Sequence, residues 1–107
     1  VQEATLALHI NGRQVAVFLL DDGEVHALCN IDPVARASVM SRGLVGDRGG
    51  VPVVFSPIGK QAYALADGRG LDDDSVSLSV FPVRIDDGQV VLTPESVIKG
   101  TRIRSAA

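Results

Sequence analysis

Apolar and polar positions alternate along most of this chain with the period of two that marks a half-buried strand. Leu6, Leu8 and Ile10 alternate with smaller or polar residues and run into Asn11-Gly12, a pair suited to a two-residue hairpin turn with positive φ. Gln14 to Leu20 is nearly continuous in apolar residues, stops at Asp21-Asp22-Gly23, and is followed by a third run from Glu24 to Leu28. These three segments predict a meander. Val51 to Phe55 and Gln61 to Leu65 predict a second hairpin closed by Asp67-Gly68. Val80 to Ile85, Asp86-Asp87-Gly88 and Gln89 to Leu92 repeat the strand, acidic turn and strand of the start.

The alternation fails between Asn30 and Gly50, where Asp32-Pro33 and Gly43, Gly46, Gly49 and Gly50 fall. This stretch reads as mostly an excursion off the sheet, its glycines explained by turn geometry. Asp32-Pro33 opens at most a turn or two of helix through Arg36, because Asp accepts from free backbone amides and Pro suits the first helical position. Thr93-Pro94-Glu95 offers a similar start to a tail, residues 93–107, that Gly100, Arg102 and Arg104 leave loosely held.

With 107 residues there is room for one domain, 1–107, and one useful core. No Trp, one Tyr and three Phe leave that interior to aliphatic side chains, which favours strands. A formal charge of −3 with scattered basic residues argues against nucleic acid or an anionic membrane as partner, since both demand clustered cations. Cys29 is the only cysteine, so no internal disulfide forms. Without an apolar run near the roughly 20 residues of a membrane span, or a signal pattern at the start, a cytoplasmic location is expected. The chain opens on Val1, which fits a segment of a longer natural protein.

Independent chemistry is sparse. His9 and His26 are the only histidines, both in predicted strands and without a nucleophile motif around them, so they read as packed or edge-exposed strand residues. Asp72-Asp73-Asp74 lacks the later Gly and Glu of a calcium loop and reads as a solvated acidic turn. The glycines at 43 to 50 are followed by neither Gly-Lys-Ser/Thr nor a predicted helix, so they make no nucleotide loop. Cys29, with no cation beside it, reads as a small core residue rather than a reactive thiol.

Ala27-Leu28-Cys29-Asn30-Ile31-Asp32-Pro33 and Val53-Val54-Phe55-Ser56-Pro57-Ile58-Gly59-Lys60-Gln61-Ala62-Tyr63-Ala64-Leu65-Ala66-Asp67-Gly68 resemble the two ligand loops of a Rieske domain. A Rieske [2Fe–2S] centre needs two Cys and two His. On this resemblance the ligand positions are Cys29, Ile31, Ser56 and Gly59, of which three have lost the required donor. The words Asn30-Ile31-Asp32-Pro33, Ala37 to Asp47, Pro52-Val53-Val54, Ser56 to Gln61, Leu71-Asp72-Asp73 and Phe81 to Ile85 occur in an order similar to the small subunit of assimilatory NAD(P)H-dependent nitrite reductase. The resemblance runs from about Gly12 to about Leu92, whereas residues 94–107 match nothing in it, and the family usually has a further strand ahead of this start.

The resemblance implies an all-β fold, a Rieske-like antiparallel sandwich or barrel with a smaller loop subdomain. It implies an oxidoreductase subunit of nitrate and nitrite assimilation that is itself without catalytic residue, metal or cofactor. Sirohaem, [4Fe–4S], FAD and the NAD(P)H site are expected on a large subunit that reduces nitrite to ammonium and that this chain docks to and stabilises. The expected docking surface is the former cluster tip, with Ile31, Asp32, Arg42, Asp47, Arg48, Ile58 and Lys60 as candidates. Arg42 and Asp47 simply pairing to pin the excursion is the structural alternative. A stand-alone Rieske-fold electron carrier is the rival reading and fails on ligand count. A single-strand-binding barrel lacks the basic groove and stacking aromatics that role requires.

Overall fold

A computed structural model describes residues 2–10 and 12–92. The tail 93–107 and Asn11 of the first predicted turn lie outside the described residues. The predicted meander is present as β1 (Gln2–Ile10), β2 (Arg13–Leu20) and β3 (Val25–Cys29), with β1 paired antiparallel to β2 and β2 to β3. Ile10 stands opposite Arg13, and Gly12 takes φ 79°, the left-handed backbone a tight turn requires.

The continuous apolar run of β2 follows from its central place. Successive side chains point to opposite faces, and both faces are covered. Ala16, Phe18 and Leu20 join Leu28, Met40, Val54, Tyr63, Leu65 and Leu78 on one side. Val15 and Val17 join Ala27, Phe81 and Leu92 on the other. The interior is aliphatic in bulk, but Tyr63 and Phe18 are its largest fully buried side chains, so few aromatics does not mean an interior without them.

The smaller subdomain is a three-stranded antiparallel sheet in the order β4 (Leu44–Arg48), β5 (Val51–Phe55), β6 (Ala62–Ala64). The expectation of a stretch mostly off the sheet holds for 30–43, which carries only an isolated bridge and a 3-10 turn, and is corrected for 44–48, which is a strand. Its alternation is hidden by Gly46, where a Cβ would lie 2.9 Å from Cε2 of Phe55: the missing side chain is the room the Phe55 ring occupies. Gly43 is similarly a close-packing residue, since a Cβ there would meet the Phe55 carbonyl at 2.5 Å and Val54 Cγ2 at 2.9 Å. Turn geometry explains only Gly49 (φ 60°) and Gly50 (φ 88°), which make the two-residue connection between β4 and β5.

The expected strand from Val80 to Ile85 is divided at Pro82. β7 (Val80–Phe81) adds to β3, completing the order β1-β2-β3-β7, whereas β8 (Val83–Asp86) pairs with β9 (Gln89–Leu92) in a separate ribbon. Proline has no N–H to continue a ladder, so the chain changes sheets there. Asp87 (φ 54°) and Gly88 (φ 78°) are both left-handed, as a type I′ hairpin turn demands. Among the described residues no helix is long and apolar enough to cross a membrane.

Candidate functional site

At the end of β3 the chain leaves the sheet under tight control. Asn30 donates its amide to the Gln14 carbonyl at 2.9 Å, and its own carbonyl accepts from Met40 N at 3.0 Å. Its side-chain Oδ1 accepts from Ser41 N at 2.7 Å, so one residue holds both ends of the loop. Asp32 organises the middle. Its Oδ1 accepts from Val34 N (2.8 Å) and Ala35 N (3.1 Å), and its carbonyl accepts from Arg36 N (2.7 Å). The helical turn expected at Asp32-Pro33 is therefore present as one turn, ended by Arg36 at φ 58°. A short 3-10 turn, Met40–Arg42, follows and places Met40 in the core.

The second loop connects β5 to β6. Ser56 N donates to the Gln61 carbonyl at 2.9 Å, and Gly59 (φ 77°) and Lys60 (φ 58°) carry the reversal. The Ser56 hydroxyl accepts from Ile58 N at 3.2 Å and donates to Oδ2 of Asp32 in the first loop. Its oxygen also lies 2.8 Å from the Ile58 carbonyl, but one hydroxyl has one proton, and the carboxylate is the stronger acceptor. Asp32 and Ser56 are each 1% exposed. Burial pushes the Asp32 carboxyl upward, yet the hydrogen bonds from the Ser56 hydroxyl and the amides of Ala35 and Val34 outweigh it and hold it below the usual carboxylate value of 3.8.

On the resemblance to a Rieske domain these two loops are the ones that would grip its centre, and their residues do not fit one. Cys29 is half-buried and packs against both cores. Ile31 presents hydrocarbon to solvent, and Gly59 has no side chain. The Ser56 hydroxyl is committed to Asp32. A pair of irons bound by two thiolates and two imidazoles has one thiol and no imidazole to bind here. No group of three or more His, Cys, Asp or Glu is placed to hold a metal ion among the described residues. His9 is exposed on β1, and His26 on β3 sits 3.0 Å from Glu24. What joins the loops is the Asp32–Ser56 hydrogen bond.

The acidic turn is also more organised than a merely solvated one. Asp72 accepts from Ala62 N (2.8 Å) and from Arg48 (2.6 Å), and Asp73 accepts from the amide and hydroxyl of Ser75. The backbone bond from Ala62, aided by Arg48, lowers the Asp72 pKa.

The surface candidates separate into three groups. Ile31 and Ile58 are exposed on the joined loops, and Arg42 and Lys60 are exposed beside them. Asp32 is inside, so it is corrected from a contact residue to the tie beneath the surface. Asp47 and Arg48 serve their own sheet: Asp47 accepts from Gly50 N at 3.1 Å in the β4–β5 turn. Arg48 pairs with Asp72 and lies 5.5 Å over the Phe55 ring. Arg42 and Asp47 do not pair among the described residues. A groove of about 440 Å³ lies between the second loop and β4, lined by Arg42, Leu44, Phe55, Ser56, Pro57 and Lys60. Leu44 is 73% exposed and Val34 56%, and the sequence reading missed both as surface residues. Leu44 was legible only through recognition of β4, because its outward direction follows from strand register.

Residues 1–93 match the Rieske-like [2Fe-2S] domain family, and the chain belongs to it. Within that fold it is a member of the nitrite reductase (NADH) small subunits, an oxidoreductase subunit family. The small subunit of Salmonella typhimurium is 42% identical over 82 residues, 76% of each chain. The NMR structure of the Escherichia coli protein NirD superposes with a TM-score of 0.76 at 35% identity, covering 86% of this chain and 84% of that one. A segment of the Klebsiella oxytoca nitrite reductase [NAD(P)H] large subunit is 42% identical over 89 residues, which is 83% of this chain and 9% of that protein.

Proposed function

We propose that this chain docks onto a nitrite reductase large subunit and stabilises it, leaving sirohaem, [4Fe–4S], FAD and NAD(P)H chemistry, nitrite to ammonium, to that partner. The observation that carries the reading is the substitution at the heart of the site: a buried Asp32–Ser56 hydrogen bond holds together the two loops that a cluster would otherwise bridge. The tip geometry is thereby supported without electron-transfer chemistry, and what it offers is a surface. The Klebsiella relative supports the partner, because a like domain there is part of the same polypeptide as the named large subunit. The proposed contact residues are Ile31, Ile58, Arg42 and Lys60.

The test is to mix the purified chain with a purified large subunit. The chain alone is expected to carry no stoichiometric iron or acid-labile sulfide and to oxidise no NAD(P)H with nitrite, and the mixture is expected to co-elute as a complex. A Rieske-type electron paramagnetic resonance signal from the reconstituted chain overturns the non-redox role. Separate elution overturns the docking role.

A further inference from the structure

We propose that the groove between Arg42 and Lys60 seats an apolar side chain flanked by carboxylates on the large subunit, a proposal that rests on the docking reading above and names the chemistry of the contact. Leu44 is the most exposed large hydrophobic side chain among the described residues, and it shares the groove with Phe55 and Pro57. An apolar surface bordered by polar groups is the anatomy of an interface centre and its rim. The borders have one sign. Arg42 and Lys60 line the groove and no carboxylate does, and neither cation has an ion pair with a described residue. The chain as a whole carries −3, so the local charge opposes the net charge and selects an acidic rather than a basic occupant. Arg48, the neighbouring cation on β4, is already neutralised by Asp72 and adds nothing to this border.

The walls are also fixed before any partner arrives. Leu44 is registered opposite Phe55 in the β4–β5 ladder. The other wall, Pro57 to Lys60, is held by the Ser56 hydroxyl on Ile58 N and by the Ser56–Gln61 backbone bond. A groove already in its bound shape loses little conformational freedom on binding.

Titration calorimetry of the full chain into the purified large subunit at low and high salt tests this. The double variant Arg42→Glu/Lys60→Glu is expected to bind at least about tenfold more weakly at low salt and with a shallower salt dependence. Leu44→Ser is expected to weaken binding about fivefold with the salt dependence unchanged. Arg69→Glu/Arg84→Glu changes the net charge equally outside the groove and is expected to bind like wild type. Leu44 is so exposed that its variant reports on the groove even if the charge reversals disturb folding. Equal binding by the wild type and all groove variants overturns the groove while leaving docking intact, as does an equal loss in the Arg69/Arg84 control. Altered self-association in place of altered large-subunit binding assigns the groove to a second copy and also overturns the proposal. No binding by the wild type overturns the docking reading itself.

Discussion

The four-stranded sheet and the tip loops are built with opposite polarity. In β2, Val15 to Phe18 are buried on both faces of the strand, and the polar residues Arg13 and Asp21 at its ends are exposed. In the tip, Asn30, Asp32 and Ser56 are buried, while Ile31, Val34 and Ile58 are exposed. The sheet is held by removal of apolar surface from water, a non-directional force that tolerates changes of shape. The tip is held by directional hydrogen bonds to buried acceptors, which leaves its hydrocarbon facing outward. The tip is therefore a surface whose form does not depend on burying its own apolar residues, as suits a site that meets another protein.

The contrast breaks hardest at the sheet. Phe18→Ala removes one of the two largest fully buried side chains and is expected to cost about 3–5 kcal/mol. Urea unfolding measures it, and a loss below about 1 kcal/mol would show that the core collapses around the gap.

A smaller effect, and one of a different kind, is expected at the tie between the loops. Asp32→Ala leaves two amides and a buried hydroxyl without their acceptor and is expected to cost about 2–4 kcal/mol. Its pH dependence separates it from a packing defect. Asp32 has a folded pKa below its ordinary 3.8, so its ionised form is favoured by folding. Its contribution is full above that unfolded value and is lost as pH falls through the folded one. Asp67, Asp72 and Asp73 are lowered in the same direction, chiefly by hydrogen bonds from the Arg69 amide, the Ala62 amide and the Ser75 side chain. They give both proteins an acid slope. Asp32→Asn is expected to have a shallower slope than wild type below about pH 4, measured by urea unfolding across pH 2–6. Identical slopes would mean that Asp32 titrates alike in the folded and unfolded chain.

The smallest stability effect is expected at the outward-facing hydrocarbon. Ile31→Ser and Ile58→Ser should each change unfolding free energy by about 1 kcal/mol or less, since the two residues are already 36% and 48% exposed. Co-purification with the large subunit is expected to weaken in the same variants. Destabilisation as large as that of Asp32→Ala would place these residues in the packing of the tip and erase the contrast.

Some of this was legible along the chain and some was not. The meander, the 51–55 strand and the last hairpin follow from local signals: apolar runs bounded by Asn-Gly, Asp-Gly, Gly-Gly or Ser-Pro pairs, whose turn chemistry needs no distant partner. The lost ligand set was legible too, because Ile31 and Gly59 lack donor atoms whatever surrounds them. β4 was not, since Gly46 erases the alternation for the sake of a ring nine residues away. Nor was the burial of Asp32. It was expected on the contact surface with Ile31 and Ile58, which are exposed, and it lies inside because Ser56, 24 residues on, gives the carboxylate a buried donor. Most of the strands, their turns and the loss of three of the four ligand positions that the resemblance marks could be read along the chain, since these depend on neighbours in sequence or on the atoms each residue carries. Folding settled which polar groups go inside and which cations stay unpaired, since each depends on a partner brought close only in three dimensions.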